Sequence, residues 1–189
     1  LPPVESQTIA IRAATPADAP AIGRIHVESW RETYSELLPS DLLDSVAAVV
    51  RAAMWRGSLE RERPILLFVA HRADGDLVGF AAGGAARTTS LPHDAEVHAI
   101  YLLDEARGRG CGRRLMAALA DALLARGFKS LCLWVREENA GARGFYQRLG
   151  GQLIGERTQA DREHAFCEVA YGWTDLNLLC TGRAAEERR

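Results

Sequence analysis

Nine residues, Arg107 to Leu115, read RGRGCGRRL. They place four arginines (Arg107, Arg109, Arg113 and Arg114) and three glycines (Gly108, Gly110 and Gly112) ahead of a run, MAALADALLARG, with the composition of a helix. A helix start is the positive end of its dipole, so each cation there costs about 0.3–1 kcal/mol unless an anion answers it. Glycines let backbone N–H groups approach such an anion closely. The first N–H groups of a helix have no internal partner and point outward as donors. Arginine adds charge and a forked donor suited to phosphate. A dinucleotide fingerprint needs G-x-G-x-x-G, but its last position is occupied here by Arg113, and the Gly-Lys-Ser/Thr of a P-loop is absent. Two readings of the stretch stand: a local site for a phosphate-type anion, or four solvated arginines on a loop.

Other residues carry proton chemistry. Tyr146 shares a helix face with Ala142, Phe145 and Leu149 at i, i+3 and i+4 spacings. Spacing alone leaves it open between a core tyrosine and a phenolic acid. Asn139 precedes that helix as a natural N-cap. Glu96, His98, Ile100 and Leu102 alternate along one strand and so share a face. The carboxylate is a candidate base or an exposed glutamate at a strand start. The imidazole titrates near neutral pH and is a candidate understudy or a structural histidine. Cys111, among arginines at a helix start, sits where a thiol pKa falls. It is not read as a nucleophile.

These groups need elements to hold them. TIAIRAA (Thr8 to Ala14) alternates as a strand. Thr15-Pro16-Ala17-Asp18 then starts a helix, with Thr15 as N-cap, and Ile22, Ile25, His26, Ser29, Trp30 and Thr33 keep helical spacing. A second helix is predicted from Ser40 to Leu59, after a break near Leu37-Leu38-Pro39. ILLFVAHR and LVGFAAGGAAR read as strands joined by the turn Ala73-Asp74-Gly75-Asp76, with Gly83-Gly84 marking a bulge or a close backbone approach. AEVHAIYLL is a strand, and the helix after the arginines ends at Gly127. SLCLWVR is a strand and Asn139 to Leu149 a short helix. QLIGERTQ and HAFCEVAYGW are two strands around a turn at Ala160 to Glu163, and the tail from Asn177 is predicted to fray. The order β-α-α-β-β-β-α-β-α-β-β implies an α/β (α+β layered) domain with one mixed sheet covered by helices.

Composition bounds the rest. The chain has 189 residues, 48% of them hydrophobic, enough for one core. The expected organisation is a single domain over 8–175 with terminal segments 1–7 and 176–189. Lys+Arg of 23 against Asp+Glu of 25 gives a net charge of −2, which argues against nucleic acid or a polybasic membrane role. Four cysteines without a CxxC pattern imply no metal centre and reduced thiols in a cytoplasmic protein. LPPVESQ reads as too polar for a leader peptide, and no apolar run is long enough to span a membrane.

Arg107-Gly108-Arg109-Gly110-Cys111-Gly112 resembles the Arg/Gln-x-x-Gly-x-Gly/Ala signature of the Gcn5-related N-acetyltransferases (GNAT). The resemblance extends through AEVHAIYLLDEARGRGCGRRLMAAL and LWVREENAGARGFYQRLGG, the second being similar to the family's N-x-x-A-x-x-F-Y segment, and the element order agrees. Asp104 stands where many members carry proline. The resemblance implies a mixed, mostly antiparallel sheet of about seven strands, splayed in the middle and flanked by about four helices. It implies acetyl-CoA as co-substrate, with its pyrophosphate on Arg107, Gly108, Arg109, Gly110, Cys111, Gly112 and Arg113. The pantetheine arm would pair with the backbone of Ile100, Tyr101 and Leu102, as a ligand amide pairs with an open sheet edge, and Asn139 would contact the same arm. Acetyl transfer would go by direct attack of a neutral amine, with Tyr146 as acid toward the leaving sulfur and Glu96 as base. A phenol with pKa about 10 is reasonably matched to a thiol of about 8.5. Glu28, Trp30, Tyr34, His98 and Trp134 are candidate acceptor-lining residues, since glutamate among aromatics suits a cationic amine. The expected acceptor is a small-molecule primary amine. A peptide or protein amine, or a non-catalytic acyl-CoA-binding module, is the alternative. The family frequently dimerises, so a homodimer is compatible, with the strand-rich end up to Trp173 as a contact surface.

Overall fold

The computed structural model describes residues 8–34, 47–62, 64–87, 89–161 and 164–180. Seven strands form one sheet in the order β1-β2-β3-β4-β5-β7-β6. The chain divides into two units, one made of residues 1–82 and 99–115, the other of 83–98 and 116–189.

In the first unit, β1 (Ala10–Ala13) pairs antiparallel with β2 (Leu66–His71), Ala10 opposite His71 and Ala13 opposite Phe68. Between them lie α1 (Ala19–Tyr34) and α2 (Ala48–Leu59). The entry to α1 is the predicted one: a 3-10 turn, Pro16–Asp18, in which the Thr15 N–H (2.8 Å) and hydroxyl (3.0 Å) both donate to the Asp18 carboxylate. Ile22 and Ile25 of α1, Trp55 of α2, Leu67 and Val69 of β2, and Leu77 and Phe80 of β3 (Leu77–Ala85) form the core of this unit. Burying each such side chain stabilises the fold by about 1.5–3 kcal/mol. The two helices meet at Gly23, where a Cβ would lie 2.6 Å from the Ala48 carbonyl oxygen. The β2–β3 turn closes with the Arg72 N–H on the Asp76 carbonyl at 2.9 Å. The predicted helix start at Ser40 and the break at Leu37-Leu38-Pro39 lie outside the described residues.

In the second unit, β5 (Leu131–Arg136) pairs antiparallel with β7 (His164–Trp173) from Leu131 opposite Trp173 to Arg136 opposite Glu168. β6 (Gln152–Asp161) pairs with β7, with a register shift between Leu153 and Gly155. The connecting residues Arg162 and Glu163 of the predicted turn lie outside the described residues. Helix α3 (Cys111–Ala125) buries Leu119 and Leu123 and ends at Gly127, whose φ is +89°. The predicted close approach at Gly83 is present: a Cβ there would sit 2.8 Å from the Glu96 carbonyl oxygen and 3.0 Å from Leu119. Helix α4 (Ala140–Arg148) follows β5.

One expectation is corrected. The chain does not fray at Asn177 but forms a further helix there, α5 (Asn177–Cys180), and the predicted tail beyond it lies outside the described residues. Leu176 and Leu179 are buried, the Leu176 N–H bonds the Lys129 carbonyl at 3.1 Å, and the Asp175 carboxylate accepts the Asn177 N–H at 2.9 Å. Two apolar anchors hold this turn in place.

Strands β4 (Ala95–Leu102) and β5 are parallel, and among the described residues they pair at only two positions, Ala95 with Leu131 and Glu96 with Cys132. β4 then continues six residues, Val97 to Leu102, beyond the last pair. This is the splay expected from the resemblance.

Candidate active site

In the first unit, β4 leads through a 3-10 turn, Asp104–Ala106, into the arginine-glycine loop and the start of α3. Gly108 (φ +69°) and Gly110 (φ +77°) both take left-handed backbone that a side chain would strain. The Arg114 N–H bonds the Gly110 carbonyl at 3.1 Å and opens the helical ladder, so the N–H groups of the first turn, those of Gly112 and Arg113 among them, precede its first internal bond. The four arginines do different work. Arg114 is half-buried and donates to the Ile9 carbonyl, a structural task. The Arg107 guanidinium donates to the Leu102 carbonyl at 3.1 Å and to Glu32 at 3.0 Å, with Asp104 at 3.6 Å. Arg109 and Arg113 are exposed and form no ion pair among the described residues. Two outward guanidinium groups beside outward N–H donors make a site that can hold a diphosphate. Cys111 is 1% exposed, which removes its thiol from nucleophilic work.

Ala99 and Tyr101 of β4, and Leu103 just after it, pack on the first unit's core. Tyr101 stacks on His26 with ring centroids 4.6 Å apart. Ile100 and Leu102 fall on the opposite face by alternation. His26 accepts the Trp55 indole N–H at 3.1 Å, and burial, with Arg51 nearby, lowers its pKa to about 4. Of the candidate acceptor residues in this unit, Glu28 pairs with Arg24 at 3.2 Å and Trp30 is half-buried. Tyr34 ends α1, and its side chain lies outside the described residues.

The second unit holds the proton-handling candidates. Asn139 caps α4, its side-chain oxygen accepting the Ala142 N–H at 3.0 Å. Tyr146 is buried among aromatic rings, 5.3 Å from Phe145, 5.9 Å from Tyr171 and edge-on to Trp173 at 6.4 Å. Glu96 is 3% exposed, not the exposed strand-start residue that was the bland expectation. Its carboxylate accepts the Arg87 backbone N–H at 2.9 Å, Nη2 at 2.6 Å and Nε at 3.2 Å. Burial pushes this carboxyl up, but the hydrogen bonds and charge of Arg87 outweigh it and hold the pKa below its ordinary value. His98, two residues on, is half-buried with Nε2 3.3 Å from the Ala85 carbonyl oxygen. Burial, then Arg87, lowers its pKa. Trp134 is half-buried beneath the Arg157 guanidinium, 4.0 Å above its ring, and Arg157 also bonds Glu168 at 2.8 Å.

Sequence reasoning did not find Arg87, because its partner lies nine residues away across the β3–β4 connection. Nor did it find Asp94, whose carboxylate accepts the Lys129 N–H (3.0 Å), the Ser130 N–H (2.9 Å) and the Ser130 hydroxyl (2.8 Å). Strand register would have paired both. Among the described residues no group of three His, Cys, Asp or Glu side chains could hold a metal ion, and no helix is long and apolar enough to cross a membrane.

The family model of the acetyltransferase (GNAT) family matches residues 20–151. An N-acetyltransferase of Bacillus subtilis, YuaI, is 35% identical over 173 residues, covering 92% of this chain and 97% of its own. The L-methionine sulfoximine/L-methionine sulfone acetyltransferase of Pseudomonas aeruginosa is 28% identical over 176 residues, 89% of this chain and 91% of its own. In fold, the chain is similar to the PaiA N-acetyltransferase of Thermoplasma acidophilum, solved in complex with coenzyme A. The TM-score is 0.68 at 20% identity, over 88% of this chain and 99% of that one.

Proposed function

We propose, for a chain that belongs to the GNAT family of acetyltransferases and uses acetyl-CoA as its acyl donor, that the acceptor is the primary amine of a small molecule of amino-acid type. The observation that carries the anion half of this reading is the pair of exposed guanidinium groups, Arg109 and Arg113, with no ion pair among the described residues, at a helix start entered through Gly108 and Gly110. The acceptor half is supported by the Pseudomonas relative, whose named substrates are amino-acid derivatives and whose likeness spans most of both chains.

On this reading the loop from Arg107 to Arg113 holds the pyrophosphate, and the backbone of Ile100 to Leu102 hydrogen-bonds the pantetheine amides. Asn139 contacts the same arm while capping α4. The amine attacks the thioester carbonyl in its neutral form, the N–C bond forms, and the C–S bond breaks. Tyr146 gives its phenolic proton to the departing thiolate. The proton shed by the amine passes to a group on the face of β4 that carries Glu96 and His98. No acyl-enzyme is required, in keeping with a buried Cys111.

The test is a thiol-release assay with acetyl-CoA and an amine panel that includes L-methionine sulfone, spermidine and peptides with free N-termini. Turnover of amino-acid amines, with Tyr146→Phe lowering kcat about 10²-fold or more, is the expected result. Acetylation confined to peptides would transfer the function to a protein acceptor. Binding of CoA in a calorimeter with no turnover of any amine would leave only an acyl-CoA-binding module.

A further inference from the structure

Two titratable groups share one face of β4, and their hydrogen bonds divide the labour between them. The Glu96 carboxylate has both oxygens occupied: Oε2 by the Arg87 backbone N–H at 2.9 Å, Oε1 by Arg87 Nη2 at 2.6 Å and Nε at 3.2 Å. The carboxylate is buried, whereas Arg87 is largely exposed. A base must present a lone pair to the incoming proton, and this one is turned inward to hold the segment that follows β3.

His98 is placed differently. Its ring lies beside Gly84, where a Cβ would meet Cε1 at 3.6 Å, and its Nε2 is 3.3 Å from the Ala85 carbonyl oxygen. A carbonyl only accepts, so that contact requires the hydrogen on Nε2 and leaves the lone pair on Nδ1. Among the described residues Nδ1 has no hydrogen-bond partner.

We propose that His98 Nδ1 takes the proton shed by the attacking amine, and that Glu96 is a positioning residue that acts through Arg87. This rests on the amine acetylation proposed above. The N–H electron pair stays on nitrogen as the N–C bond forms, the proton moves to Nδ1, and the imidazolium returns it to solvent after the amide leaves. The charged groups facing His98 are Arg87, which disfavours the imidazolium, and Glu96, which favours it; burial and Arg87 together keep the ring neutral near pH 7.

The deciding measurement is the pH profile of kcat with acetyl-CoA and saturating L-methionine sulfone, for the wild type, His98→Gln and Glu96→Gln. His98→Gln is expected to lower kcat by about 10²–10⁴-fold and to erase the acid limb, leaving the KM for acetyl-CoA unchanged. Glu96→Gln is expected to keep an acid limb, moved to lower pH because the imidazolium loses a negative neighbour. An acid limb lost in Glu96→Gln and retained in His98→Gln would overturn the proposal. A second readout needs no turnover. Long-range ¹⁵N–¹H correlation on the histidine-labelled chain, with the His98 signal identified by its loss in His98→Gln, is expected to show the Nε2–H tautomer at pH 7. An Nδ1–H tautomer or an imidazolium there would also overturn it. Failure of the underlying reading looks different: the wild type binds CoA but acetylates no amine, and the proton-acceptor role falls with the transfer it serves.

Discussion

The arginine-glycine loop of the first unit and the root of β4 in the second treat charge in opposite ways. In the loop, Arg109 and Arg113 stand exposed with no ion pair among the described residues, at a helix end that already disfavours cations. At the root of β4, Asp94 and Glu96 have their carboxylates filled by N–H, hydroxyl and guanidinium donors. Charge left unanswered by the protein is available to a ligand, while charge that is answered holds the chain in place. Variants in the loop should therefore move cofactor affinity with little change in stability, and variants at the root should do the reverse.

The largest effect is expected from Gly110→Asp, which puts a side chain at φ +77° and a carboxylate in the loop proposed to hold the diphosphate. Calorimetric binding of CoA should fall below detection while the melting temperature stays within a few degrees. A protein that still binds CoA would break the comparison at its strongest point. Next is Arg109→Ala. Loss of a charge-assisted hydrogen bond is worth about 1.5–3 kcal/mol, so CoA should bind roughly 10- to 150-fold more weakly. Arg107→Ala should cost less, because part of that guanidinium is already spent on Glu32 and Leu102. Equal losses from the two variants would show that the Glu32 pairing gives way entirely to the ligand.

At the root, Asp94→Ala should destabilise the protein by about 1–2 kcal/mol in urea titration and leave CoA affinity unchanged. Its pH dependence has a definite sign. Burial alone would raise the Asp94 pKa, but donors from Ser130 and Lys129 bring it below the ordinary value. The stability it contributes is present above the unfolded carboxyl pKa, about 3.9, and is lost as pH falls through the lower folded value. Asp94→Asn should flatten that part of the acid-unfolding curve. The smallest effect belongs to Glu32→Gln, which frees Arg107 for the ligand and should tighten CoA binding about two- to fivefold; weaker binding would mean that Glu32 pre-orients the guanidinium.

The parts of the molecule that follow from local rules were legible in the sequence. Strand alternation, the Thr15–Asp18 helix entry, Gly127 as a helix stop and the glycines of the loop each act within a few residues, and the structure places them as expected. The stretch Asn177 to Cys180 was misread because Leu176 and Leu179 are fixed by packing, which composition does not reveal. The four arginines of RGRGCGRRL looked equivalent, but tertiary partners divide them: Arg114 serves Ile9, Arg107 serves Glu32, and Arg109 and Arg113 form no ion pair among the described residues. Glu96 was legible as a residue of interest, while its engagement by Arg87 depends on register across β3 and β4.

The two-position pairing of β4 with β5 also has a consequence in time. Asp94 stitches the strands at their base through Lys129 and Ser130, and Ala95 and Glu96 make the last ladder pairs among the described residues. Such a seam opens from its free end and stops at its stitched one. Amide hydrogens of Leu131 and Cys132 should exchange with the slow kinetics of global unfolding, and Asp94→Ala should bring their exchange into the faster, local regime. Asp94 thus sets how far this seam can unzip before the whole fold must come apart.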